Sequence, residues 1–202
     1  WRTLDDLLRS FVTSGVRVSS SVAGNRFLLS LKPTATPKSL YDLHPGCHSM
    51  VMELREHTSS GRVIMVRVFH GVHMRGRDVG YYKPGATKNG PLWVNTFRNP
   101  KTGLTEHYKL YGGKLTGILT QSFCREIFFL VAMELYHWTQ SYSGAQLIGQ
   151  FHDELVVDVD MDKFEFAHPQ TIKAAIHNVM TASPFPDFPL EAEVKYDYRY
   201  IK

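Results

Sequence analysis

The feature that most narrows the possible folds is a change of period near residue 111. After "YKLYGGK", residues Leu115, Ile118, Leu119, Ser122, Phe123, Ile127, Leu130, Val131, Glu134 and Leu135 follow helical spacing. The pattern holds for about six turns. "SYSG" stops it, and two β-like runs follow, 145–151 and 154–159, with only His152 and Asp153 between them. A two-residue connection predicts a tight hairpin, and Asp153 tolerates the positive φ that such a turn needs. A long helix feeding a tight hairpin excludes both an all-α and an all-β chain.

The rest of the chain fits the same mixture. Leu4, Leu7, Leu8 and Phe11 predict an amphipathic helix over 3–14, with Thr3 as N-cap and Asp5 and Asp6 in its first turn. "LKPTATPKS" at 31–39 reads as an exposed linker, which places an N-terminal helix-and-linker segment at 1–45 and a main domain at 46–202. "SMVMEL", "GRVIMVRVF" and "PLWVNTF" read as strands, 168–183 as a helix after Pro169, and Leu190, Ala192 and Val194 as a closing strand. The order predicts an α+β fold in which helices cover one face of an antiparallel sheet.

Composition bounds the partners. The chain has 202 residues, 43% hydrophobic and 21% charged, which suits a packed globular protein. A net charge of +4 favours a polyanionic partner only weakly. Cys47 and Cys124 are too few for a disulfide framework and read as free thiols. No run of about 18 apolar residues is present and no secretory signal opens the chain, so the expectation is a cytoplasmic protein with no membrane span. The first residue is Trp1 rather than Met, so the expectation is a trimmed chain or a part of something longer.

Two places carry candidate chemistry. The first is His152-Asp153-Glu154, where an acid at a hairpin tip between apolar strands is held rigidly and suits a hard cation such as magnesium. The competing reading is a turn-forming Asp153 with a solvated neighbour. The second is one helix face bearing Lys114, Gly117, Gln121 and Arg125 at offsets 0, 3, 7 and 11. Gly117 costs about 1 kcal/mol relative to alanine, so a nucleic-acid backbone approaching there is one reading and a plain solvated face the other. His70 and His73 lack further ligands at metal-binding spacing. Tyr81, Tyr82 and Trp93 suit base stacking or core packing alike.

In combination, "YGGKLTGILTQSFCREIFFLVAMEL" and "LIGQFHDELVVDV" resemble the C-terminal part of a family A DNA polymerase, the bacteriophage branch especially. "SSGRVI" at 59–64 and the closing "FPLEAEVKYDYRYIK" add to the resemblance, which covers about residues 59–202. It implies a palm-like antiparallel sheet with motif C on the hairpin. By this likeness Asp153 is a ligand of the catalytic magnesium ions, with Glu154 its neighbour in the catalytic site. His152 would lie against the primer end and Gln121 would face the minor groove, with Lys114 and Arg125 on the same DNA-facing helix. The implied reaction is two-metal nucleotidyl transfer from dNTP onto a primer-template DNA, in the host cytoplasm for a phage-encoded chain.

The sequence also departs from that family. Gly117 and Ile118 stand where phage relatives carry Glu and Asn, which puts a minor-groove contact in doubt. Motif A, with the second metal-binding aspartate, and motif B, the fingers helix, have no counterpart here. The expectation is therefore one part of a split DNA-directed DNA polymerase, active only with a companion chain carrying motifs A and B. The alternatives are a non-catalytic DNA-binding or interaction module derived from a polymerase, and an unrelated metal-dependent hydrolase.

Overall fold

The computed structural model describes residues 2–35, 48–57, 61–75, 92–99, 101–163, 168–185 and 188–197. The fold is α+β, and the chain divides into two compact units, 1–123 and 124–202.

The first unit opens with α1, Arg2–Ser14. Leu4, Leu7, Leu8 and Phe11 fall on one face and are all buried, as their spacing predicts. Gly15, at φ +67°, ends the helix and its N–H donates to the Phe11 carbonyl at 2.8 Å. Six strands follow in an antiparallel meander paired in chain order. They are β1 (Val18–Val22), β2 (Phe27–Thr34), β3 (His48–Glu56), β4 (Val63–Arg75), β5 (Leu92–Arg98) and β6 (Thr105–Leu110).

Register decides which side of β1–β4 is core. Leu29 lies opposite Leu54, Leu31 opposite Met52, and Met50 opposite Phe69, so these side chains share one face, and all are buried. α1 packs on β1, β2 and β4, and a fully buried Leu or Phe stabilises by about 1.5–3 kcal/mol. The opposite face is polar where Ser30 stands opposite Glu53. Lys32 Nζ donates to Glu53 Oε2 at 2.7 Å, and Arg55 Nε donates to Glu53 Oε1. Arg17 Nη2 donates to Ser30 Oγ at 3.2 Å. The Arg55 guanidinium, ahead of the Lys32 ammonium, holds the Glu53 carboxyl below the ordinary carboxylate range despite its burial.

The long helix α2, Gly112–Gln140, contains the division between the units. The second unit adds β7 (Ala145–Phe151), β8 (Glu154–Val159) and α3 (Pro169–Thr181). β7 and β8 form a separate two-stranded sheet. Ala145 and Ile172 are its buried centre, with Trp138, Tyr142, Val159 and Ile176 packed around them. Pro169 begins α3, where His168 Nδ1 accepts the Gln170 N–H at 3.2 Å.

Several expectations change. The stretch read as a linker begins inside β2: Leu31 is buried, and 31–34 pairs with 49–52. No boundary falls at 45, since β2 and β3 pair across it. β1, β2 and β6 were not foreseen, and the turn between β1 and β2 runs through Ala23, Gly24 and Asn25, all at positive φ. The antiparallel sheet expected to be single is two sheets in two units. Among the described residues no closing strand forms: Leu190, Ala192 and Val194 join no ladder. Leu130 and Glu134, placed on the packed side of α2 by spacing, are exposed. Among the described residues α2 is the one helix long and apolar enough to be considered as a membrane span, by length and composition only. Arg125, Glu126 and Glu134 interrupt its apolar surface.

Candidate metal-binding hairpin

β7 and β8 are aligned by Ala145 opposite Val159, Leu147 opposite Val157 and Phe151 opposite Glu154. Between Leu147 and Gly149 the register slips, leaving Ile148 as an extra, exposed residue on β7. At the base, Gly144 takes φ +100°, where an added Cβ would stand 3.2 Å from the Asp160 carbonyl. Its own carbonyl accepts the Asp160 N–H at 2.7 Å. Lys163 Nζ lies 2.9 Å from Asp160 Oδ2 and holds that carboxyl below its usual range.

The tip departs from expectation. Positive φ falls on His152, at +56°, and not on Asp153. A residue bearing a Cβ costs about 1 kcal/mol in that region relative to glycine, so strain is stored one residue before the acid. Gln150 Nε2 donates to the His152 carbonyl at 3.4 Å. His152, Asp153 and Glu154 are all exposed, so no buried charge needs compensation, and the desolvation argument for a metal does not apply.

The hairpin has two unlike faces. Leu155, Val157 and Val159 alternate on the side that, through Ala145 and Val159, meets Ile172 and Ile176. Glu154 and Asp158 point the other way, and Gln146 stands opposite Asp158. All three are exposed. Asp158 and Gln146 were not singled out beforehand, although stepping by two from Glu154 reaches Asp158.

The structure brings His152, Asp153 and Glu154 together on one turn. Arg125 belongs to the same unit, whereas Lys114 and Gln121 belong to the first. Lys114, Gly117, Gln121 and Arg125 are all exposed, as their shared face predicts. A Cβ on Gly117 would meet open space, so no packing within the chain requires that glycine. The Arg125 guanidinium lies 5.2 Å from the Phe129 ring centroid. Gly113 lies so close beneath Tyr111 that a Cβ would approach its ring to 2.9 Å. Tyr81 and Tyr82 lie outside the described residues, as do the side chains of His70, His73 and Trp93. Cys124 is an exposed free thiol, and Cys47 lies outside the described residues.

Among the described residues no three His, Cys, Asp or Glu side chains converge as a metal site. The hairpin tip offers two adjacent carboxylates, Asp153 and Glu154, hard oxygen donors of the kind magnesium takes one or two at a time. No family model, curated protein or solved structure matches the chain.

Proposed function

We propose that this chain is the motif C part of a DNA-directed DNA polymerase, completed by a separate chain that carries motifs A and B. The observation that carries the reading is the His152-Asp153-Glu154 tip: exposed acids on a two-residue turn, strained at His152 and set between regular strands. The resemblance of "YGGKLTGILTQSF" and "HDELVVDV" to phage polymerases supplies the reaction class.

In this reading Asp153 is one carboxylate of a two-aspartate site, and the companion brings the other. Glu154 lends negative charge beside it. His152, with its ring exposed at the tip, meets the primer end, while Lys114, Gln121 and Arg125 face the duplex. Magnesium held there supplies activation of the 3′-hydroxyl and neutralisation of the triphosphate.

The test is templated primer extension by the isolated chain and by the chain with its companion, each with and without Asp153→Ala. The reading expects extension only from the wild-type pair. DNA binding that survives Asp153→Ala, with no extension in any combination, would instead favour a non-catalytic module.

A further inference from the structure

β7 holds a glycine that its backbone does not require. Gly149 is not among the residues at positive φ, and glycine inside a strand weakens it and marks the close approach of another group. The approaching group is the ring of Phe151. A Cβ added to Gly149 would stand 3.1 Å from Phe151 Cε2, 3.6 Å from Cζ and 3.9 Å from Cδ2, its three nearest atoms. The first of these is tighter than the optimal carbon–carbon contact of about 3.5–4.0 Å. The missing side chain is therefore the seat in which the ring lies.

Register explains why the seat is here. Gly149 and Phe151 are two residues apart on one strand and share a face. Gly149 lies opposite Val156, and Phe151 lies opposite Glu154, the last rung before the turn. The extra residue at Ile148 shifts β7 by one position, which moves this pair from the Leu155 and Val157 face to the Glu154 face. Phe151 thus stands on the exposed side, where its ring covers backbone of its own strand. From the other face, Gln150 Nε2 donates to the His152 carbonyl at 3.4 Å. The strand leading into the turn is braced on both faces.

We infer that Phe151 is a positioning residue for the metal-binding tip. Seated on Gly149, its ring is held in one rotamer and fixes the rung from which Asp153 and Glu154 present their carboxylates. It acts through Glu154, its cross-strand partner, and through His152, its neighbour in the chain. Magnesium demands near-ideal octahedral geometry, so a loosened rung is felt as weaker metal binding. The inference rests on the polymerase reading for its metal and not for the ring's seat.

The experiment compares Phe151→Ala, Gly149→Val, Phe151→Tyr and wild type. Gly149→Val removes no contact and introduces a residue that suits a strand, but it fills the seat. Backbone order at 152–154 is measured by nitrogen-15 relaxation of the full chain, and magnesium is titrated in primer extension by the completed enzyme. In the alanine and valine variants the order parameters at 152–154 are expected to fall below about 0.6. The half-saturating magnesium concentration should rise at least about tenfold with primer-template affinity unchanged. Phe151→Tyr keeps the ring and should restore both, and the double variant should be no worse than the worse single one. A tip that stays ordered in both variants overturns the inference, as does a loosened tip with wild-type magnesium dependence. A tip that loosens while the wild-type pair extends nothing keeps the ring as the support of the tip and removes the polymerase reading. If Phe151→Ala fails to fold, Gly149→Val decides alone.

Discussion

Asp5 Oδ1 accepts the backbone N–H of Gly112 at 3.0 Å, joining α1 to the first turn of α2 across 107 residues. The first N–H groups of a helix have no partner within it, and a carboxylate there also meets the positive end of the helix dipole. The other oxygen of Asp5 accepts from Arg9 Nε at 3.1 Å. A segment outside the polymerase resemblance thus anchors the helix that presents Lys114 and Gln121.

Asp5→Ala is expected to lower the unfolding free energy by about 1–2 kcal/mol, the usual cost of losing a helix cap. Asp5→Asn keeps an acceptor and should recover most of it. Urea unfolding of both variants checks the contact. Equal stability of the alanine variant and wild type would show that Gly112 is satisfied without Asp5.

Glu53 gives a pH prediction. Its carboxyl sits below the ordinary range in the folded chain because Arg55 and Lys32 donate to it. A lowered folded pKa means the stabilisation is full above the unfolded value and is lost as pH falls through the folded one. Stability should therefore decline as pH falls below about 5 more steeply in wild type than in Glu53→Gln. At neutral pH, Glu53→Ala should cost about 2 kcal/mol, since two partly exposed cations lose a charged acceptor. Parallel acid limbs in wild type and Glu53→Gln would contradict this.

The strain at His152 separates fold from function. Glycine has no penalty at φ +56°, so His152→Gly should leave thermal stability equal or raised by up to about 1 kcal/mol. The same change should reduce extension by the completed enzyme, because the primer-facing ring is gone. Loss of stability on this substitution would mean the imidazole is a structural support.

Ile172 is the buried contact of α3 with the hairpin base at Ala145. Ile172→Ala should destabilise by about 2–4 kcal/mol through lost burial and the cavity left behind. Far- and near-ultraviolet circular dichroism during denaturation would report it.

What the sequence made legible follows from range. The α2 pattern and the two strands around His152-Asp153 depend on neighbours within one element, and their limits were read to within a residue or two. "VSSSV" of β1 has three serines, too few apolar side chains to announce a strand, and becomes one only because β2 pairs with it. Pro33 and the threonines around it suggested a linker, yet the β3 partner keeps 31–34 in the sheet. Leu190, Ala192 and Val194 show the converse: the alternation was legible, but a strand also needs a neighbour. At the site, the position of the acids was legible and their exposure was not, because apolar flanks say nothing of how far a turn projects. The shift of positive φ from Asp153 to His152 is likewise a matter of turn geometry, which two residue names do not determine.

The measurement closest to the central claim is templated extension with magnesium by the chain and its motif A-bearing companion, run beside Asp153→Ala and Asp153→Asn. The account predicts no extension by either chain alone, extension by the wild-type pair, and loss of at least about a thousandfold in both variants with the complex still assembled. Near-normal extension by the Asp153→Ala pair, or extension by this chain alone, would contradict it.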